Sequence, residues 1–203
     1  YGGFTMREYT IVRRQAEHSW DNIPVLYVDN QQWVPQLPIA MQAQLCYDED
    51  AIYVRMQVVE QNIRAEEFGR IGSPYKDSCM EFFFCPHNDE LKYINFEFNV
   101  NTCMIMGLNR TPAGSVRLLP NPDLIDAKAD RTEDGWWLEY KIPHVLIKQF
   151  FPNYAPESGR FIRANCYKCG HETVNPHYHT WNYVDLPKIS FHCPEHFGIM
   201  YFE

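Results

Sequence analysis

The chain has 203 residues, 45% of them hydrophobic, 22% charged and 15% aromatic. That length suits one domain that buries about 70% of its unfolded surface without a disulfide or metal staple, and the aromatic content excludes a disordered chain. A net charge of −8 argues against a nucleic-acid or anionic-membrane partner, and no apolar run approaches the ~20 residues of a membrane span.

The N-terminal Tyr1-Gly2-Gly3-Phe4 spells an opioid-peptide message, which in a folded chain of this length is chance. The chain starts without an initiator Met or an apolar leader region, so a signal segment was removed or was never present. Seven cysteines is an odd number, and most sit among apolar neighbours. This favours a reducing compartment, the cytoplasm ahead of a secreted or periplasmic location.

Period-2 alternation dominates the rest of the chain. After the turn Tyr47-Asp48-Glu49-Asp50, the stretch Ala51–Val59 puts Ile52, Val54, Met56 and Val58 on one face. Residues 76–85 oppose Met80, Phe82 and Phe84 to Asp77, Cys79, Glu81 and Phe83. Residues 92–100 oppose Ile94, Phe96, Phe98 and Val100 to Tyr93, Asn95, Glu97 and Asn99. Turns occupy 86–89, 120–123 and 133–135. The next strands are 136–142, with Trp136, Leu138, Tyr140 and Ile142 inward, and 161–169, with Ile162, Ala164 and Cys166 opposite Arg163, Asn165 and Tyr167. Residues 143–150, behind a proline, make at most one or two helical turns. The pattern predicts an all-β, antiparallel β-sandwich, immunoglobulin-like or jelly-roll-like, in a single domain over residues 1–203.

Pairing 76–85 with 92–100 as a hairpin brings their polar faces together. Asp77, Glu81, Tyr93, Asn95, Glu97 and Asn99 then carpet one side of the sheet, with Arg163, Asn165 and Tyr167 beside them. Carboxylates, amides and Arg bond vicinal hydroxyls while Trp or Tyr stacks on a pyranose ring, so this face suits a neutral sugar. The same residues also fit a structural network under a covering loop, held by Arg110, Arg163 and Lys168. Glu81 and Glu97 on neighbouring strands further admit the carboxyl pair of a glycoside hydrolase.

The C-terminal third gathers Cys166, Cys169, His171, His177, His179, His192, Cys193 and His196. Cys166-x-x-Cys169 invites a zinc reading, but on a strand residues three apart point to opposite faces. His177 and His179 fall on one side of a strand. Among the tryptophans, Trp136 and Trp20 read as core, and Trp181, in His-Tyr-His-Thr-Trp-Asn-Tyr, as the best binding ring. Phosphate loops, nucleophile elbows and Cys/His nucleophile signatures are absent from the sequence.

Five stretches in order carry a resemblance: Tyr75-Lys76-Asp77-Ser78-Cys79-Met80-Glu81, Tyr93-Ile94-Asn95-Phe96-Glu97-Phe98-Asn99, Ala164-Asn165-Cys166-Tyr167-Lys168-Cys169-Gly170, His177-Tyr178-His179-Thr180-Trp181, and Phe191-His192-Cys193-Pro194-Glu195-His196-Phe197-Gly198. The sequence resembles the stand-alone bacterial branch of the family 9 carbohydrate-binding modules, from about Tyr9 to Phe202. The resemblance implies a β-sandwich related to modules appended to xylanases, a role in carbohydrate catabolism, and a clamp of two aromatic rings on a glucose or xylose unit. It also admits structural Ca²⁺. It places Trp181 as one ring and Tyr75 near the other, with Asp77, Glu81, Asn95, Glu97, Arg110, Asn165 and Lys168 as polar candidates. The expected ligand is thus a carbohydrate. A glycoside hydrolase using Glu81 and Glu97, or an interaction sandwich without a sugar site, is the alternative.

Overall fold

The computed structural model describes residues 5–17, 19–87, 92–110 and 114–203, so Tyr1–Phe4 and the second half of the 86–89 turn, Asn88 and Asp89, lie outside the described residues. Among the described residues fourteen strands run β1 Glu8–Arg13, β2 Leu26–Val28, β3 Asn30–Gln31, β4 Ala40–Tyr47, β5 Ala51–Val59, β6 Ser78–Cys85, β7 Lys92–Asn99, β8 Met104–Arg110, β9 Gly114–Leu118, β10 Lys128–Arg131, β11 Gly135–Pro143, β12 Phe161–Gly170, β13 His177–Thr180 and β14 Gly198–Phe202. Helix is confined to α1 Pro122–Ile125, α2 His144–Lys148 and three short 3-10 turns among the described residues. Each helix has proline at its start, and Asp126 ends α1 with a left-handed φ of 48°.

One layer runs β10-β11-β5-β4, and the other runs β9-β8-β7-β6-β12. The far edge of β12 is shared by β14 and β13, and β13 continues to β3. Strand β1 joins the layers. It lies parallel to β14 over residues 8–11, then parallel to β4 at Val12 and Arg13, so the two layers form one curled sheet. This corrects the expectation of an antiparallel sandwich: the remaining described pairings are antiparallel, but both pairings of β1 are parallel. No helix among the described residues is long and apolar enough to cross a membrane.

The core between the layers follows the alternation. Met80, Phe82 and Phe84 of β6 and Ile94, Phe96 and Phe98 of β7 meet Leu45, Ile52, Val54, Met56, Leu138 and Tyr140 from the opposite layer. Burying each such side chain contributes about 1.5–3 kcal/mol. The other face of β6, β7 and β12 is buried too. Cys79, Phe83, Cys85, Tyr93, Tyr167 and Cys169 form a second apolar cluster with Tyr178, Val184, Phe191, Cys193 and Phe197. The irregular chain between β13 and β14 therefore roofs the polar face, as the covering-loop alternative of the sequence reading had it.

Trp181 belongs to the main core, with 3% of its surface exposed. Its ring lies against the backbone of β14, where a Cβ on Gly198 would come within 2.7 Å of it. A ring so enclosed offers no face to a sugar, which corrects its assignment as a stacking platform. Trp20 is also displaced from expectation, being half-buried in a 3-10 turn, whereas Trp136 is 1% exposed. Trp181→Ala is expected to lower the unfolding free energy by about 3–5 kcal/mol, measured by denaturant titration, as a cavity in a packed core does.

Candidate functional site

A pocket of about 330 Å³ opens between the roof and the polar face of β6 and β7. Tyr75 stands at its rim, 41% exposed, in the 3-10 turn Pro74–Lys76. That turn is tied to the end of β12 by backbone bonds from His171 N to the Tyr75 carbonyl (3.4 Å) and from Glu172 N to the Lys76 carbonyl (2.9 Å). Glu81 and Glu97 line the floor with Cys169, while His171, Tyr178, Phe191 and His192 contribute to the walls. The walls are braced: His171 Nδ1 lies 2.6 Å from the Tyr178 hydroxyl, and His192 Nδ1 lies 2.7 Å from the Tyr93 hydroxyl. Phe191 stacks on Tyr167 with ring centroids 4.1 Å apart, and Trp33 packs against both Tyr178 and Phe191.

Glu81 and Glu97 face each other directly across the β6–β7 ladder. Burial pushes the Glu81 carboxyl well above the ordinary range, and the nearby Cys169 thiol adds to this. Burial does the same to Glu97, reinforced by the negative charge that Glu81 would carry. The Cys169 thiol donates to Glu81 Oε1 at 3.1 Å, and Asn95 Nδ2 donates to Glu97 Oε1 at 2.8 Å. The floor is thus two buried carboxyl groups whose protonated forms are favoured by desolvation.

The remaining expected ligand residues lie elsewhere. Asp77 is fully buried and pairs with Arg64, while its carboxylate accepts from the backbone N–H of Glu66 (3.0 Å) and Glu67 (2.8 Å) and from Asn99 Nδ2 (2.8 Å). It clamps the segment before β6 rather than facing the pocket. Asn95 stands behind Glu97 and takes a bond from Asn109 Nδ2 at 2.6 Å. Asn165 holds the chain after Trp181, bonding the Asn182 carbonyl and N–H at 2.9 and 2.8 Å. Arg110 ends β8 in an exposed position with the parity of Met104 and Met106, off the polar face. Asp77→Ala removes one partner of a buried pair and is expected to cost about 3–5 kcal/mol in a denaturant titration.

Lys168 is fully buried but points through the sheet, away from Glu81. Its Nζ lies 3.1 Å from Glu60 Oε1, 2.8 Å from His177 Nε2 and 2.9 Å from the Cys169 carbonyl. Trp136 Nε1 donates to Glu60 at 2.7 Å. Burial works to raise the Glu60 carboxyl, but the Lys168 ammonium and the indole N–H hold it below its ordinary value. His177 Nδ1 donates to the Asn175 carbonyl at 2.8 Å, which leaves Nε2 to accept from Lys168. Burial and the Lys168 charge lower both His177 and His179 to about 4. This cluster fringes a groove of about 1160 Å³ walled by polar turns, a chemically less convergent site than the Tyr75 pocket.

Both histidines bind fewer protons folded than unfolded, so their contribution to stability is full above about pH 6.5 and is lost as pH falls toward 4. The melting temperature of the native chain is expected to fall more steeply between pH 7 and 5 than that of His179→Gln. Scanning calorimetry across that range measures the difference.

The family's sequence profile, described as carbohydrate-binding family 9, matches residues 9–202, nearly the whole chain. The chain belongs to carbohydrate-binding family 9. Its fold is shared with a protein from Bacteroides uniformis provisionally described as carbohydrate-binding (TM-score 0.81, 21% identity, covering 98% of this chain and 100% of that one). Two structures of a family 9 module from Caldicellulosiruptor kristjanssonii also match. The glucose complex has TM-score 0.67 at 12% identity over 97% of this chain and 96% of that one, and the cellotriose complex 0.68 at 12% over 97% and 94%. No curated protein matches the sequence.

Of the residues expected to bind ligand, Tyr75, Glu81 and Glu97 converge on this pocket. Cys169, His171, Tyr178, Phe191 and His192 were not expected as sugar contacts, although the cysteine and both histidines stood out in the C-terminal third. Structural Ca²⁺ requires hard oxygen donors. The one group of three candidate ligand side chains among the described residues contains two thiols, so its donor set does not fit calcium.

Proposed function

We infer that the chain is a non-catalytic carbohydrate-binding module, acting as one unit over its length, and that its ligand is a gluco- or xylo-type sugar held in the Tyr75 pocket. The observation that carries this reading is an exposed aromatic ring beside a small pocket floored by two buried carboxyl groups. A pyranose stacks its apolar C–H face on Tyr75 and directs vicinal hydroxyls at Glu81 and Glu97. The pocket stands at the small end of ligand-site volumes, which favours one or two sugar units over a long chain. Among the described pocket residues Tyr75 is the one exposed phenol or phenyl ring, so affinity belongs in the micromolar-to-millimolar range, roughly −4 to −8 kcal/mol. The glucose and cellotriose held by the C. kristjanssonii module point to the same sugar class.

A glycoside hydrolase reading requires one ionised carboxyl group beside one protonated one. Burial raises both Glu81 and Glu97, and each is already engaged by Cys169 or Asn95, so the pocket favours hydroxyl recognition over turnover.

Titration with glucose, xylose, cellobiose and cellotriose, followed by calorimetry and by intrinsic tryptophan fluorescence, tests the assignment. Tyr75→Ala is expected to weaken binding at least about tenfold with an unchanged melting temperature. Wild-type affinity in that variant would place the site elsewhere. Release of aryl groups from α- or β-linked aryl glycosides by the native chain, lost in Glu97→Gln, would establish the hydrolase instead.

A further inference from the structure

We propose that Cys79, Glu81 and Cys169 form a binding site for a thiophilic divalent cation, Zn²⁺ being the natural occupant, at the base of the Tyr75 pocket. Cys79 and Cys169 are directly opposed on the antiparallel strands β6 and β12, and Glu81 follows Cys79 by two residues on the same face. Their ligand atoms all lie within 4.8 Å of one another, with Cys169 Sγ 3.1 Å from Glu81 Oε1. Zinc takes thiolate at about 2.3 Å and carboxylate at about 2.0–2.2 Å, which sets tetrahedral donors roughly 3.4–3.8 Å apart. The three atoms therefore need only small side-chain adjustments to share an ion.

The strand framework makes the placement firm. Ligands from two hydrogen-bonded strands on one pleated face are held by the ladder itself, and all three are buried. Among the described residues no ion pair reaches Glu81 or Glu97, and Lys168, the ammonium nearest in sequence to Cys169, lies on the other face of the sheet. The base of the pocket thus concentrates acidic groups that no ion pair neutralises. Binding zinc replaces the protons of two thiols and one carboxyl group, which leave to solvent. Glu97, opposite Glu81, and the pocket itself border the fourth coordination position. The spacing Cys166-x-x-Cys169 takes no part, because Cys166 faces the main core.

Metal binding stands independently of sugar binding, and the test contains no sugar. Reduced wild-type protein, stripped with chelator, is titrated with Co²⁺ and then Zn²⁺. The expected result is one Co²⁺ per chain with thiolate-to-cobalt absorption in the near ultraviolet. Micromolar Zn²⁺ should displace it, Cys79→Ser/Cys169→Ser should lose the absorption, and Cys46→Ser should keep it. Absence of stoichiometric uptake by the wild-type chain, or uptake that survives the double substitution, overturns the site. Should the double variant not fold, proton release from the wild-type chain decides the matter. Release of about two to three protons per Zn²⁺ supports the site, and release of none overturns it.

Discussion

The pleat of three adjacent strands, β6, β7 and β12, governs the molecule. Successive side chains on a strand point to opposite faces, and here both faces are buried, so each strand feeds two unlike environments at once. Even-numbered residues of β6 and β7 supply phenylalanine, methionine and isoleucine to the core between the layers. Odd-numbered residues supply Cys79, Glu81, Phe83, Tyr93, Asn95 and Glu97 to a second layer beneath the chain that joins β13 to β14. A shift of one residue in register would exchange the two sets, burying carboxyl groups in the apolar core. The pocket and its floor exist only because that register holds.

The roof completes the arrangement. Without it, Glu81 and Glu97 would be ordinary ionised residues on a solvated face. Covered, they are desolvated and their carboxyl groups are pushed upward, and Tyr75 is left as an exposed phenol ring at the opening. The same desolvation gathers the thiols of Cys79 and Cys169 around Glu81. On the other side of β12, Lys168 is compensated by Glu60 and by the acceptor nitrogen of His177. Two polar clusters of different character thus sit back to back across one strand, one built around an ion pair and the other around two buried carboxyl groups.

Much of this was legible in the chain. The β5 alternation matched Ala51–Val59, and the β7, β11 and β12 patterns fell within one residue of the observed strands. The short edge strands were not legible, since β2 and β3 have three and two residues and show no periodicity to read. Of the candidate site, Tyr75, Glu81 and Glu97 were identifiable. Lys168 was misplaced although its even parity with Ala164 and Cys166 already turned it away from Asn165 and Tyr167. Trp181 was misread because a tryptophan among polar residues looks available for stacking, whereas its burial in the main core and the approach of Gly198 show that its ring is enclosed.

By itself the sequence determined the family, the predominance of strand and which residues share a face, because these depend on local period and on the order of motifs. The tertiary structure decided the rest. The parallel placement of β1 between β14 and β4, the roof over the polar face and the meeting of Cys79 with Cys169 all join segments far apart in the chain. Alternation specifies only which face of its own strand a residue occupies. Which strand comes alongside, and whether water or another layer covers that face, is settled when distant segments compete to bury apolar surface.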